Sequence, residues 1–396
     1  MNLTDAYDIL RRVLDPMPLD TFLDDIVGRS VAKIAGDAQN YRAGLLGTEP
    51  EDLILSDYER LAPRMGCHAA LPIGPHPVIE PVADAKAFKA KVDAFFLRGY
   101  TVRLRDLRGL SLPLDEFLRA LECVFHQPAN VESFWSRDDA RAPVHHDDVD
   151  LIIVQIKGRK RWFISTDESD LPNMWKTIPG GPPVMERFQT VEVGPGDMLY
   201  IPRGTQHRVD ALSGSLHLSI GFIPLTMREA VIAALDHASE FDRRYRASIG
   251  GRLASAARDN DFTALTPNIR EGIENLLKLS GSEEFITQAM QRRSSRAVGD
   301  LEKLKERKTY PPLSANTKLR HGPLAISHLM ANPAKIDFSH PGGHIYIHRG
   351  AEESVKFIAA TREFVLRDVP GQIGDDVRKA LVAKFIDAGF LEIVED

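Results

Sequence analysis

The sequence predicts an α+β fold, a β core set between helical segments, and three observations carry that reading. Between Asn130 and Phe222 the apolar runs are short and rich in β-branched and aromatic residues: NVESFW, VDLIIVQI, RWFIS, QTVEV, DMLYI and LHLSIGF. Turn signals at KGRK, PGGPP, GPGD and PRGT punctuate them. Short strands separated by such turns suggest a jelly roll or barrel. On either side of this region the apolar residues recur with a helical period.

Taken in order, the first 130 residues mix short helices with loops. ADAKAFKAKVDAFFL, residues 84 to 98, reads as a helix closed by Gly99, and YTVRLRDL alternates like a strand. Pro113 opens the helix LPLDEFLRALECVFH, and Pro128 follows its end. Beyond the β core, Thr226 and Glu229 form a capping box, with Met227, Ala230, Val231, Ala234 and Leu235 on one helical face. A helix near Pro267 carries the stripe Ile269, Ile273, Leu276 and Leu277, and a shorter one spans Ser282 to Met290. Such stripes need a partner surface, either the barrel or a second subunit, which predicts a homodimer.

The stretch QRRSSRAVGDLEKLKERK, from Gln291, is charged and weakly apolar and reads as exposed or linking. After Pro311, HIYIHRG and ESVKFIA read as a hairpin, followed by a helix in IGDDVRKALVAKFIDAGFLEI, a Gly389 cap and a final strand. A small α+β unit of this kind resembles a winged helix. Its last helix sets Asp375, Asp376 and Asp387 against Arg378, Lys379 and Lys384, a poor surface for phosphates, so no direct nucleic-acid binding is expected. The expected divisions are 1–225 for the β core with its N-terminal helical extension, 226–310 for a helical dimerisation region and 311–396 for the winged-helix-like domain.

Bulk properties agree with a multidomain globular protein. A chain of 396 residues, 43% hydrophobic and 27% charged, has room for two or three cores. The formal net charge of −6 argues against a general polyanion binder. MNLTDAYDILRRVLDPM, with Asp5 and Asp8, does not read as a secretory signal, and no run reaches the roughly 18 apolar residues of a membrane helix. Cys67 and Cys123 lack metal-type spacing and read as reduced, packed thiols of a cytoplasmic protein.

The chemistry sits in VHHDDVDLIIVQIKGRKRW, Val144 to Trp162, read together with His207 in GDMLYIPRGTQHRV. A His-x-Asp pair and a distal histidine supply two imidazoles and one carboxylate with coordination positions left open, the facial set of a non-haem Fe(II) oxygenase. A lone His-x-Asp is weak evidence among 13 histidines. The strand that follows the pair, the Pro-Arg-Gly turn that delivers His207 and the cation on the next strand strengthen it. Both His145/Asp147 and His146/Asp148 fit, and strand alternation alone does not choose between them.

The same segment resembles the HxDxxD…Q…G-x-[KR]-[KR]-W pattern of JmjC-type 2-oxoglutarate oxygenases, in particular the ribosomal oxygenase or cupin-4 group. QIKGRKR is also similar to the corresponding segment of the asparaginyl hydroxylase of hypoxia-inducible factor. The specific resemblance covers Asn130 to Phe222, and the order of parts is similar over nearly the whole chain. It implies a double-stranded β-helix core, with Fe(II) held by His145, Asp147 and His207 and O2 and 2-oxoglutarate as co-substrates. Asp150 and Gln155 match the positions between these motifs. Lys160 falls where the family places the basic partner of the 5-carboxylate of 2-oxoglutarate, while Asn130, His217 and Ser219 fall near the co-substrate.

The bland readings stand beside these. His217 alternates within an apolar strand and equally fits a core histidine. His340, His344 and His348 read as surface residues, and Arg159, Lys160 and Arg161 could form a plain basic turn, although alternation turns Lys160 away from its neighbours. The resemblance implies hydroxylation of an amino-acid side chain in a polypeptide, with ribosomal proteins as one substrate class. A tailoring hydroxylase for a peptide or small metabolite and a non-catalytic metal-binding cupin are the alternatives. Hydroxylation and demethylation are not separated by sequence.

Overall fold

The computed structural model describes residues 1–36, 40–69, 81–169, 171–172, 185–248, 262–304 and 309–394. The PGGPP turn and part of the charged stretch after Gln291 lie outside them. Two compact units divide at Pro224 and Leu225. Among the described residues no helix is long and apolar enough to cross a membrane.

Unit 1 opens with helix α1 (Leu3–Leu14), whose Asn2 and Asp5 side chains cap its first turn reciprocally. Strand β1 (Ala32–Ile34), helix α2 (Pro50–Ser56), strand β2 (Met65–His68), helix α3 (Ala85–Phe96) and strand β3 (Thr101–Arg105) follow. Helix α4 (Leu112–Phe125) starts at the Ser111 cap and stops where His126 turns left-handed at φ +48°. Strands β4 (Asn130–Ser136), β5 (Asp150–Lys157), β6 (Lys160–Ser165), β7 (Phe188–Val193), β8 (Met198–Ile201), β9 (His207–Ala211) and β10 (Ser215–Phe222) complete the unit.

These strands form two antiparallel sheets, one of seven strands in the order β1-β8-β5-β10-β4-β3-β2 and one of three in the order β7-β6-β9. The arrangement is the jelly roll expected from the strand pattern. Strand β5 is buried on both sides, and its period of two divides it between two cores. Ile152, Val154 and Ile156 join the core shared with α1 and α4, whereas Leu151 and Ile153 meet Trp162, Ile164 and Val209 of the second sheet. In β10, Leu216, Leu218 and Ile220 pack toward the first core. His217, Ser219 and Gly221 of that strand turn to the space between the sheets.

Buried Arg42 ties the N-terminal arm to this framework. Its guanidinium donates to the carbonyls of Val13, Asp15, Ala35 and Gly196, the last of these in the turn that precedes β8.

Unit 2 begins with helix α5 (Met227–Phe241), which carries the expected capping box of Thr226 and Glu229. Its expected apolar stripe meets the packed face only at Ala234: Ala233, Ala234, His237 and Ala238 are buried, while Met227 is 80% exposed and Val231 and Leu235 are exposed as well. Helix α6 (Thr266–Leu279) likewise leaves Ile269, Ile273 and Leu277 in solvent. Helix α7 (Glu283–Asp300) runs ten residues past Met290, so QRRSSRAVGD is helical rather than a linker. The reason is small-residue packing that a count of apolar residues overlooks. Ser294, Ser295, Val298 and Gly299 are buried, and Ser295 Oγ lies 2.5 Å from Ser339 Oγ.

Strand β11 (Lys318–His321) is followed by a three-stranded sheet of β12 (His328–Ala331), β13 (Lys335–His340) and β14 (Gly343–His348). The expected hairpin therefore forms one segment earlier, between β13 and β14. ESVKFIA is helix α8 (Glu352–Ala360), with Ser354, Val355 and Ile358 on its buried side. His340 is 7% exposed and lies within β13, not on the surface as its sequence context suggested. Strand β15 (Glu363–Val365), helix α9 (Asp375–Asp387), Gly389 at φ +74° and strand β16 (Leu391–Ile393) close the chain.

One glycine is decisive for the junction between the two sheets of unit 1. Gly158, between β5 and β6, sits at φ +67°, and a Cβ there would run into the backbone of Gly214 and Ser215. Gly158→Ala is expected to destabilise the protein by about 2–3 kcal/mol. Chemical denaturation of the purified variant checks this, and a midpoint equal to wild type would refute it.

Candidate metal and co-substrate site

The space between the two sheets is a cavity of about 550 Å³ whose walls include His145, Asp147, His207, Lys160, His217 and Ser219. His145 precedes β5 and is joined to His207, the first residue of β9, by a reciprocal pair of backbone hydrogen bonds. His145 N–H donates to His207 O at 3.0 Å, and His207 N–H donates to His145 O at 2.8 Å. This bridge sets the two imidazoles 4.4 Å apart between ring centroids. Asp147 Oδ2 lies 3.5 Å from His207 Nε2, and one ligand atom from each of the three residues falls within 4.8 Å of the others.

The donor set suits a divalent transition metal. Nδ1 of His145 is 2.9 Å from Pro143 O, and Nδ1 of His207 is 3.0 Å from Thr205 O. Each ring can donate its Nδ1 proton to a carbonyl, which leaves the Nε2 lone pair for a cation. Burial, and then the neighbouring His145, hold the His207 imidazole well below its ordinary range. Its ring is therefore neutral at physiological pH, the form a metal requires.

Residues 145 to 149 run ahead of β5 as irregular chain, so strict strand alternation does not govern them. His146 and Asp148 also border the cavity, yet the cluster of three ligand atoms is made by His145, Asp147 and His207.

Lys160, the first residue of β6, is 2% exposed. Its ammonium donates to Ser136 Oγ at 3.0 Å and Phe134 O at 3.3 Å and forms no ion pair with a carboxylate among the described residues. Ser136 Oγ lies 3.0 Å from Thr101 Oγ1, which extends the polar contact to β3. Burial pushes the Lys160 amine down to about 7. Nearby, His217 stacks on Phe134 at 5.0 Å, and its Nδ1 and the Trp162 Nε1 are buried without hydrogen-bond partners. A cation lacking an anion and two unpartnered ring nitrogens facing one cavity fit an acidic, oxygen-rich ligand such as 2-oxoglutarate.

Asn130 stands at the exposed start of β4, at the rim of the cavity and opposite Gly221 of β10. Ser219, nearly buried, pairs with Glu132 of β4 and Ile153 of β5. His68, Thr101, Arg103, Glu132 and Ser136 also line the cavity and were not singled out from the sequence. His68 lies on β2, Thr101 and Arg103 on β3, and Glu132 and Ser136 on β4, and the register of the seven-stranded sheet brings them together. Trp162 was visible in GRKRW but had no assigned place. In the fold its ring lies 5.5 Å from both His207 and His217.

The Lys160 environment gives a pH prediction for the metal-loaded protein. Burial favours the neutral amine, whereas a bound carboxylate favours the ammonium, so binding 2-oxoglutarate takes up a proton above pH 7. Affinity is expected to be full below about pH 7 and to fall by up to about tenfold per pH unit above it. Titration calorimetry of 2-oxoglutarate from about pH 6.5 to about pH 8.5 checks this; a flat profile would contradict the assignment.

The JmjC domain family matches residues 111–230, the region that contains the cavity's principal residues. Human ribosomal oxygenase 1 is 29% identical over 292 residues, covering 67% of this chain and 44% of that protein. The bifunctional lysine-specific demethylase and histidyl-hydroxylase NO66 of Drosophila erecta is 26% identical over 235 residues, covering 55% of this chain and 34% of that protein. This chain thus spans less than half the length of these curated relatives. Among solved structures, Escherichia coli YcfD, a ribosomal oxygenase solved with cobalt and 2-oxoglutarate, superposes with a TM-score of 0.51 at 14% identity. The match covers 96% of this chain and 99% of that one. Residues 111–230 thus match the JmjC domain, and the chain is similar in sequence to the ribosomal oxygenases and in fold to YcfD.

Proposed function

We propose that the protein is an Fe(II)- and 2-oxoglutarate-dependent oxygenase that hydroxylates an amino-acid side chain of another polypeptide, with ribosomal proteins the first class to test. The observation that carries this reading is the pairing, on one cavity, of the His145, Asp147 and His207 cluster with the buried, anion-free Lys160. In this reading His145, Asp147 and His207 hold the metal, and Lys160 orients the distal carboxylate of 2-oxoglutarate by a charge-assisted hydrogen bond. Bound Fe(II) supplies the redox chemistry that couples O2 and 2-oxoglutarate to oxidation of a C–H bond.

The chain's own contribution is orientation and exclusion of water. Pro143 and Thr205 carbonyls hold the imidazole tautomers, while Ser136 and Thr101 steady the Lys160 ammonium. Trp162, Val209 and Ile153 form apolar wall around the polar groups. His217, Ser219 and Asn130 line the same cavity, which supports reading them as neighbours of the co-substrate. His145, His146, Asp147 and Asp148 are half-buried, which opens the metal end of the cavity to a side chain arriving from outside. A polypeptide substrate is favoured by that access and by the relatives' names, ribosomal oxygenase and histidyl-hydroxylase.

We read the protein as a homodimer, with the exposed apolar stripe of α5 and α6 as its contact surface. Ile273 and Leu277 are 63% and 73% exposed on one side of α6, an arrangement that favours burial against a second copy. We read the C-terminal part of the second compact unit as winged-helix-like, a reading supported by the β13–β14 hairpin and α9. A cytoplasmic location is consistent with the two free cysteines.

Anaerobic addition of Fe(II) and 2-oxoglutarate should produce the visible charge-transfer absorption of a chelated keto acid. Lys160→Ala is expected to weaken 2-oxoglutarate roughly ten- to a hundredfold while leaving metal affinity nearly unchanged. His145→Ala should abolish the band and His146→Ala should retain it. A folded wild-type protein without the band would favour a non-catalytic metal-binding module. Separately, Ile273→Glu should convert a dimer to a monomer in light scattering after gel filtration, and a monomeric wild type would remove the dimer reading.

A further inference from the structure

A buried carboxylate outside the ligand cluster controls the turn on which two of the ligands depend. Asp150, the first residue of β5, is 1% exposed, and Tyr200 of β8 is fully buried beside it. Asp150 Oδ1 accepts the Arg203 backbone N–H at 3.1 Å, and Oδ2 accepts the Tyr200 hydroxyl. The Tyr200 oxygen in turn accepts the Gly28 backbone N–H at 2.6 Å, so the N-terminal arm closes the back of the pair.

The turn held by Asp150 reaches both ligands. Gly204 N–H donates to Asp147 O at 2.7 Å, and Thr205 O lies 3.0 Å from His207 Nδ1. Arg203 O accepts from Ser169 Oγ at 2.6 Å, which fixes the outer side of the same turn. Gly204, at φ +77°, has no room for a Cβ because Ser169 and Pro172 pack against it. Asp150 thus clamps the turn, and the turn fixes the Asp147 backbone on one side and the His207 ring on the other.

We infer that Asp150 and Tyr200 are positioning residues for the metal ligands, setting the spacing of Asp147 and His207 through the 202–205 turn without touching the ion. The inference rests on the reading of His145, Asp147 and His207 as ligands. A charge buried without a basic side-chain partner is costly unless hydrogen bonds satisfy it. Here the donors that satisfy it belong to the segments that carry the ligands, so its free energy is coupled to their geometry. Partners of this kind behind a ligand set govern affinity for the ion rather than its identity.

The test uses the full chain, with Co(II) alone as probe and its visible ligand-field absorption as the measure of occupancy. Melting of the metal-free protein reports the fold independently. In Asp150→Asn and Tyr200→Phe the Co(II) dissociation constant is expected to rise about tenfold or more, measured where both variants are folded. Tyr200→Phe removes one hydroxyl and decides the matter if Asp150→Asn does not fold. Unchanged Co(II) affinity in a folded variant, with only a lower melting temperature, would reduce the pair to a structural staple and overturn the inference alone. A wild-type protein that takes up no Co(II) overturns both the inference and the ligand reading beneath it.

Discussion

Two backbone hydrogen bonds between His145 and His207 are the constraint on which the rest of the site depends. They join the approach to β5, in the seven-stranded sheet, to the start of β9, in the three-stranded sheet. Without them the two imidazoles would belong to separate layers of the jelly roll. With them, residues far apart in sequence share one register, and the side chains converge as a consequence of main-chain pairing. The arrangement places the precision in the scaffold rather than in flexible side chains.

The opposite end of the cavity follows a different principle. There the fold sequesters a lysine and provides it with a hydroxyl and a carbonyl, which are hydrogen-bond partners but not counter-charges. The missing charge is what a dicarboxylate brings. One part of the space therefore presents electron-pair donors that suit a cation, and another presents an ammonium that suits an anion. Under the proposed reading, that polarity would give a keto acid a single favourable orientation.

Much of this was legible in the sequence, for reasons that differ by residue. The capping box at Thr226 and the helix start at Pro113 are local signals, and local signals survive folding. The segment from Val144 to Trp162 also carried its chemistry openly, because ligand, turn and cation lie within one strand-turn-strand unit. Choosing His145 over His146 was different: both reach the cavity, and the choice came from resemblance, since irregular chain at 145–149 escapes the alternation rule. Thr101 and Ser136 carried no signal, because their place beside Lys160 arises from the register of β3 on β4 and not from anything adjacent to them. In unit 2 the stripes expected on α5 and α6 leave most of their large apolar residues exposed, whereas the residues that α5 and α7 bury are mostly alanine, serine and glycine. Small residues bury well by close approach, and hydrophobicity alone does not reveal them.

Burial also changes what Lys160 can do when no ligand is present. Burial favours its unprotonated form, unlike the solvated lysines of the surface. A free lone pair inside a half-dry cavity is a nucleophile, open to acylating agents and aldehydes small enough to enter. A carboxylate seated against it restores the proton and removes that reactivity. Covalent labelling of this one amine, slowed when an anion fills the cavity, is the consequence to expect of its burial.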